Sequence, residues 1–394
     1  MRLFSISISI ILLVLLAVAC TAPQAASSQV PSAPQAEMFT SIETPSAMPA
    51  AIVGPLVEEP ALLSLHMLDE WNGWGLSAGA VLRTNDGGAT WHDVLPQKKG
   101  VTEFGYSAGT AFLSATQAWV LIPDAADPLG NGTLYRSRDG GQQWEALPVP
   151  FGSADVVFLD ENDGWAMAGL GVGAGSMGVA IYRTADGGQT WEQVYTNDPN
   201  LANASTDLPL SGIKNDLTPL DTHTAWVSGV IYAPETFYFF KTSDGGRTWA
   251  EQPLQQPPAT LGAEISIDAG PTFLSAQDGV LTVRFSGESY KTAFYTTHDG
   301  GQTWELLSTL PGAGAVDFVS PQAGVFWTGE QFFVTADGGQ SWTSVTPDVL
   351  FGETFAGMDF VNSSTGWVWT YELTGRLGLY QTHDGGHTWS ASGQ

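Results

Sequence analysis

From about residue 60 onward, short apolar runs alternate with polar, glycine-rich turns. One apolar run ends at Leu68, a polar turn follows, and the chain resumes at Gly73-Trp74. The same passage returns at Leu159 to Gly164-Trp165, Leu220 to Ala225-Trp226 and Val361 to Gly366-Trp367. Ala118-Trp119 marks another copy, and in two more a valine takes the place of the tryptophan, Val280 after Gly279 and Val325 after Gly324. A third run comes next, as in Ala80-Val81-Leu82-Arg83 and Ile181-Tyr182-Arg183. A fourth leaves through a tryptophan, as in Trp91-His92-Asp93-Val94-Leu95. Runs this short, bounded by turn residues, predict β-strands. Each repeat reads as four strands, labelled A to D in chain order. One such sheet cannot bury both of its faces, so successive sheets must stack around an axis.

Between strands C and D lies a fixed turn, Ser/Thr-x-Asp-Gly-Gly-x-x-Trp. It is first seen as Thr84-Asn85-Asp86-Gly87-Gly88-Ala89-Thr90-Trp91 and next as Ser137-Arg138-Asp139-Gly140-Gly141-Gln142-Gln143-Trp144. Five more copies run Thr184 to Trp191, Thr242 to Trp249, Thr297 to Trp304, Thr335 to Trp342 and Thr382 to Trp389. Their aspartates are Asp186, Asp244, Asp299, Asp337 and Asp384. The first and last of the box aspartates, Asp86 and Asp384, are six steps apart, a mean of about 50 residues, which is propeller-blade length. An aspartate fixes such a turn by accepting backbone N–H bonds two residues on. The glycines permit positive φ, and the Ser/Thr hydroxyl closes the turn locally. The tryptophan lies across the hairpin and buries a large ring. A residue needed identically in every repeat is needed by the repeat, so these carboxylates are structural rather than catalytic.

The turn resembles the Asp box, or BNR repeat, of sialidases, sortilin-type receptors and related propellers. The expected fold is all-β: a seven-bladed β-propeller of four-stranded antiparallel blades, with Asp boxes in the C–D hairpins, over residues 60–394. The Gly-Trp strand followed by the box, behind an export signal, is most similar to the photosystem II assembly and stability factor family. That resemblance implies a propeller that helps assemble a membrane protein complex. Photosynthetic members are associated with a basic partner-facing patch, whereas this chain has only 13 Lys and Arg. Arg83, Arg136, Arg183 and Lys241 recur just before the boxes, where their regular position points to blade support.

The net charge is −27, which repels nucleic acid and anionic lipid alike. The only cysteine is Cys20, so no internal disulfide and no cysteine zinc site can form. Residues 1–19 are a basic start followed by an apolar run from Leu3 to Ala19, the composition of a secretory signal. Ala17-Val18-Ala19-Cys20 resembles a bacterial lipobox, implying diacylglycerol on Cys20 and a site on the outer face of the cell membrane. The same residues also satisfy an A-x-A cleavage rule, which gives a secreted product instead. Residues 20–59, rich in Ala, Pro and Ser, read as a flexible tether.

No sialidase constellation is present. Five of the eight arginines lie in or beside Asp boxes, and no Phe-Arg-Ile-Pro-like start precedes the propeller. Xyloglucanase-type hydrolases face two such propellers across a cleft, and here there is one. The six histidines, His66, His92, His223, His298, His383 and His387, show no metal-ligand spacing, and no metal or cofactor is expected. Eight residues before each strand-B tryptophan, or its substitute, stand His66, Ala111, Val157, Thr218, Thr272, Asp317 and Asp359. In a closed ring His66, Asp317 and Asp359 converge at one mouth of the axis, able to shift one another's pKa and do acid–base or cation-binding work. The alternative is a hydrated lining. The loops opposite the Asp boxes vary most, and Tyr232, Phe237, Tyr290 and Tyr371 there are candidate binding anchors. The expected function is therefore non-enzymatic binding of a membrane-associated protein partner, with a glycan-binding or glycoside-hydrolase propeller as the alternative.

Overall fold

The computed structural model describes residues 52–95, 103–105, 107–201, 203–371 and 378–392. Cys20, segment 1–19 and most of the tether lie outside them. Among the described residues the regular structure is antiparallel β, with two single 3-10 turns at Pro258–Thr260 and Gly352–Thr354.

Four sheets are simple four-stranded meanders. They are Gly109–Phe112, Ala118–Asp124, Asp127–Ser137 and Glu145–Val149; Ala154–Phe158, Gly164–Gly173, Ser176–Thr184 and Glu192–Thr196; Val316–Phe318, Gly324–Trp327, Phe332–Thr335 and Thr343–Val345; and Phe355–Phe360, Gly366–Thr370, Leu379–Thr382 and Ser390–Ala391. The first repeat has Leu62–Met67, Gly73–Ser77, Val81–Thr84 and Trp91–Asp93, with Leu56–Val57 added outside its D strand. The fourth repeat holds Ile213–Pro219, Ala225–Val230, Tyr238–Thr242 and Ala250–Glu251. It shares one nine-stranded sheet with the fifth through the single Val230–Ser266 pair. The fifth has a split A strand, Glu264–Ser266 and Thr272–Phe273, interrupted where Pro271 has no N–H to give. Its remaining strands are Gly279–Ser286, Tyr290–Thr297 and Glu305–Pro311.

The tether boundary at residue 59 falls inside the folded part. Leu56 and Val57 pair with His92 and Trp91, the Asp93 N–H donates to the Pro55 carbonyl at 3.0 Å, and Ile52 packs on the core. Without this strand, the D strand of the first repeat would be an exposed edge.

The turn between strands C and D is closed from within. In the first copy the Thr90 N–H and hydroxyl donate to the two Asp86 oxygens at 2.9 and 2.6 Å, and the Gly88 N–H donates to the Thr84 hydroxyl at 2.9 Å. The aspartate thus reaches four residues on, not two. Both glycines have positive φ, 75° and 90°, which a side chain would strain. The indole of the box tryptophan donates to the second glycine's carbonyl, as in Trp249 to Gly246 and Trp389 to Gly386, both at 3.0 Å. The first glycine's N–H donates to the A–B turn of the same repeat, Gly87 to Trp71 and Gly385 to Ser364, both at 2.9 Å. Asp boxes and A–B turns therefore share one end of each sheet, and the B–C and D–A loops share the other.

Each core cluster joins neighbouring repeats; one combines Trp119, Leu121 and Leu134 with Val156, Phe158 and Ala166. The strand-B tryptophans Trp74, Trp119, Trp165, Trp226 and Trp367 are fully buried. Three of them donate forward to the next repeat: Trp74 to Ser114 O at 2.9 Å, Trp119 to Gly187 O at 3.1 Å and Trp367 to Gly87 O at 2.8 Å. The cations before the boxes reach the same way. Arg83 donates to Ala115 O at 2.9 Å, Arg136 to Gly187 O at 2.9 Å and Lys241 to Gly301 O at 2.9 Å. Arg83 and Lys241 also lie over Trp74 and Trp226, 4.7 and 5.1 Å from the ring centroids. The blade-support role assigned to these cations is what the contacts show. The bond from Trp367 to Gly87 joins the last repeat to the first, and one cluster holds Leu62, Leu65 and Trp91 with Trp367 and Trp369. The Leu56–Val57 strand adds to the first repeat itself, so packing and hydrogen bonds make this join.

Candidate functional site

The A strands of successive repeats touch: Leu62–Met67 meets Phe355–Phe360, which in turn meets Val316–Phe318. Apart from the Val230–Ser266 pair and the Ser176–Gly212 bridge, backbone pairing among the described residues stays within each repeat, so N–H groups on one A strand face the next without a partner strand. Carboxylates supply the acceptors. Asp317 Oδ2 accepts from the Phe360 N–H at 2.6 Å, and Asp359 Oδ2 accepts from the Met67 N–H. Asp216 does the same in the fourth repeat, accepting from Gly270 N–H at 2.8 Å and from the Thr218 hydroxyl at 2.6 Å.

The structure brings His66, Asp317 and Asp359 into one electrostatic cluster. Burial raises Asp317 to about 7, helped by the nearby Asp359 charge, while the Phe360 N–H and His66 pull the other way. Burial raises Asp359 to about 6 against the Met67 N–H. Burial also lowers His66, opposed by the Asp317 charge, and the imidazole stacks on Phe112 at 6.4 Å. Asp155 and Asp216, in the third and fourth repeats, form a separate carboxylate pair that sequence reasoning missed. Burial and the charge of Asp216 push Asp155 up to about 6. The signal was present: Asp155 and Asp216 stand two residues before Val157 and Thr218, on the same strand face as the counted positions. Chemically, the cluster can hold protons near neutrality. Its carboxylates are also engaged as latches between repeats, and among the described residues no group of three or more His, Cys, Asp or Glu is arranged to hold a metal ion.

At the loop end, Tyr232 is 62% exposed, Tyr290 56% and Tyr371 51%. Phe237 does not join them. It is half-buried, packing edge-to-face on the buried Phe285 at 6.2 Å against the core. Its place in a loop said nothing about the direction of its ring. Lys214 is another residue the sequence did not flag. Its ammonium donates to the carbonyls of Met177, Pro209, Leu210, Ser211 and Gly212 at 2.6–3.3 Å, and the Tyr238 ring lies 4.9 Å away. One buried cation thereby pins the loop before strand Ile213–Pro219.

The profile of the BNR/Asp-box repeat matches residues 295–306. No curated protein matches the sequence. Among solved structures, "YCF48 bound to D1 peptide" is 17% identical with a TM-score of 0.52, over 85% of this chain and 98% of that one. YCF48 from Cyanidioschyzon merolae is 20% identical with a TM-score of 0.53, over 84% and 97%. The GH74 xyloglucanase from Xanthomonas campestris is 16% identical with a TM-score of 0.54, over 83% of this chain and 54% of that one. The chain thus spans about half the xyloglucanase. At these identities the likeness establishes a fold: this is a BNR-repeat β-propeller resembling YCF48.

Proposed function

We propose that this BNR-repeat propeller binds a protein partner, as a scaffold or an assembly or stability factor for a membrane complex, and that it does so outside the cytoplasm on a lipid anchor at Cys20. In this reading the seven repeats are blades of one closed ring with an Asp box in every C–D hairpin. The observation that carries the reading is how the polar groups are used. The box aspartates and the inner carboxylates Asp216, Asp317 and Asp359 are engaged with their own fold. Meanwhile Tyr232, Tyr290, Tyr371 and Leu261 project from the loop end. Exposed aromatics on a rigid scaffold anchor protein interfaces. The YCF48 structure with a D1 peptide shows that the same fold can hold a peptide. The signal segment and the lipobox-like Ala17-Val18-Ala19-Cys20 support export and anchoring.

Purification of the tagged protein from native membranes in mild detergent, followed by mass spectrometry, tests this. A near-stoichiometric membrane protein in the eluate is the expected result. Recovery of the propeller alone, even after gentle cross-linking, contradicts it.

The likeness to a xyloglucanase and the proton-holding inner cluster favour a second reading, a glycan-active propeller. There, Asp317→Asn and Asp359→Asn would each abolish hydrolysis, and activity surviving both substitutions would exclude that cluster.

A further inference from the structure

The exposed apolar residues of the third to fifth repeats are connected. The hairpin closing strands Gly164–Gly173 and Ser176–Thr184 carries Val172, 68% exposed, and the Tyr232 ring lies so close to Gly175 that an added Cβ would stand 3.2 Å from it. Gly212 N–H donates to Gly175 O at 2.7 Å, which brings in the loop holding Leu210. Beyond Tyr232, Glu235 accepts from the Gly262 N–H at 2.8 Å, fixing the turn that displays Leu261. That turn forms one wall of a recess of about 310 Å³. Phe285, Gly287, Glu288, Ser289 and Lys291 form the other wall, joined across by Lys291 donating to Ala259 O at 2.8 Å. Val172, Tyr232 and Leu261 therefore border one surface with a side-chain-sized hollow in it, and the exposed Tyr290 stands at its edge, next in sequence to the lining residues Ser289 and Lys291.

Around it carboxylates outnumber cations. Glu235, Glu264 and Glu288 are exposed there. The two lysines of these segments, Lys214 and Lys291, spend their ammonium groups on backbone carbonyls. An apolar surface ringed by carboxylates, on a protein of net charge −27, complements a segment that is both basic and apolar. The aliphatic Val172 and Leu261 beside the tyrosines favour apolar side chains over sugar rings, which stack on aromatics.

We infer that the loop surface of Val172, Tyr232, Leu261 and Tyr290 is the docking site for a basic, apolar-rich segment of a partner protein. The inference rests on the protein-binding reading and gives it a place and a chemistry. The site faces away from the Asp boxes. Its carboxylates speed encounter and its apolar residues hold the bound segment.

The test is fluorescence anisotropy of the full chain with a short fluorescein-labelled peptide of alternating lysine and phenylalanine, at physiological salt. Tyr232→Ala, Leu261→Ser and Tyr290→Ala, combined, should weaken binding at least tenfold, with the melting temperature unchanged because all three side chains are exposed. Tyr371→Ala should bind as wild type. The counterpart peptide with glutamate for lysine should not bind. Binding that ignores the triple substitution, or that accepts the acidic peptide equally, overturns the inference. So does a glycan array hit lost with the same substitutions. The native purification separates this failure from that of the parent reading. A partner still captured by the triple variant refutes the surface and leaves protein binding standing, whereas no partner for the wild type refutes both.

Discussion

At the scale of single residues, the Asp box derives its strength from one carboxylate serving several donors. Burial works against the charged form of Asp86, but the bonds from Thr90 and Thr84 outweigh it and hold the carboxyl below its ordinary value. Asp86→Ala should lower stability by about 2 kcal/mol in chemical denaturation, the usual effect of losing hydrogen bonds to a charged group. A lowered pKa adds stability that is complete above the ordinary value of 3.8 and disappears as pH falls through the folded value. The inner carboxylates have the opposite sign. With Asp317 raised to about 7 and Asp359 to about 6, the stability they add is complete below 3.8 and is lost as pH climbs toward 7. The melting temperature should therefore decline between pH 4 and pH 7, and Asp317→Asn should flatten that decline; an unchanged slope in the variant would count against the assignment. Lys214→Met should leave five carbonyls without their donor and lower stability by more than about 2 kcal/mol, with the loss seen as faster hydrogen exchange in residues 210–213. The box residues were legible in the sequence because they repeat. Lys214 was not, because its partners are backbone atoms and backbone leaves no letter in a sequence.

At the scale of elements, the join between repeats rests on a small set of forward-reaching groups. Trp367 and Trp165 are buried alike, but the Trp367 indole donates to Gly87 O while the Trp165 indole N–H has no partner. Both Trp→Phe substitutions remove similar ring area. Trp367→Phe should therefore cost about 1 kcal/mol more than Trp165→Phe in matched unfolding curves. Equal losses would mean the bond between last and first repeats adds nothing. Strand order within each repeat followed from apolar runs and turn residues, and so did the support role of Arg83, Arg136 and Lys241. Two elements were harder to read. Leu56–Val57 is a two-residue strand inside a Pro-rich stretch, too short to carry periodicity. The A strand of the fifth repeat is broken beside Pro271, which a register count passes over. The latching role of Asp216, Asp317 and Asp359 also escaped the sequence, because it depends on which N–H groups an adjacent repeat leaves unpaired.

At the scale of the whole molecule, the two ends of the sheets are built differently. The Asp-box end is uniform in its backbone ties, each box bonded to its own A–B turn, with Trp71 exposed on the turn of the first repeat. The loop end differs from repeat to repeat and carries the exposed tyrosines and leucines. A scaffold that repeats at one end and varies at the other concentrates recognition at the varied end. The most direct measurement is photo-cross-linking in native membranes, with a photoreactive amino acid at Tyr290 on the loop end or at the exposed Gln340 on the Asp-box end. The account predicts one dominant adduct with a protein partner from position 290 and none from 340. The reverse pattern, or no adduct from either position, would contradict it.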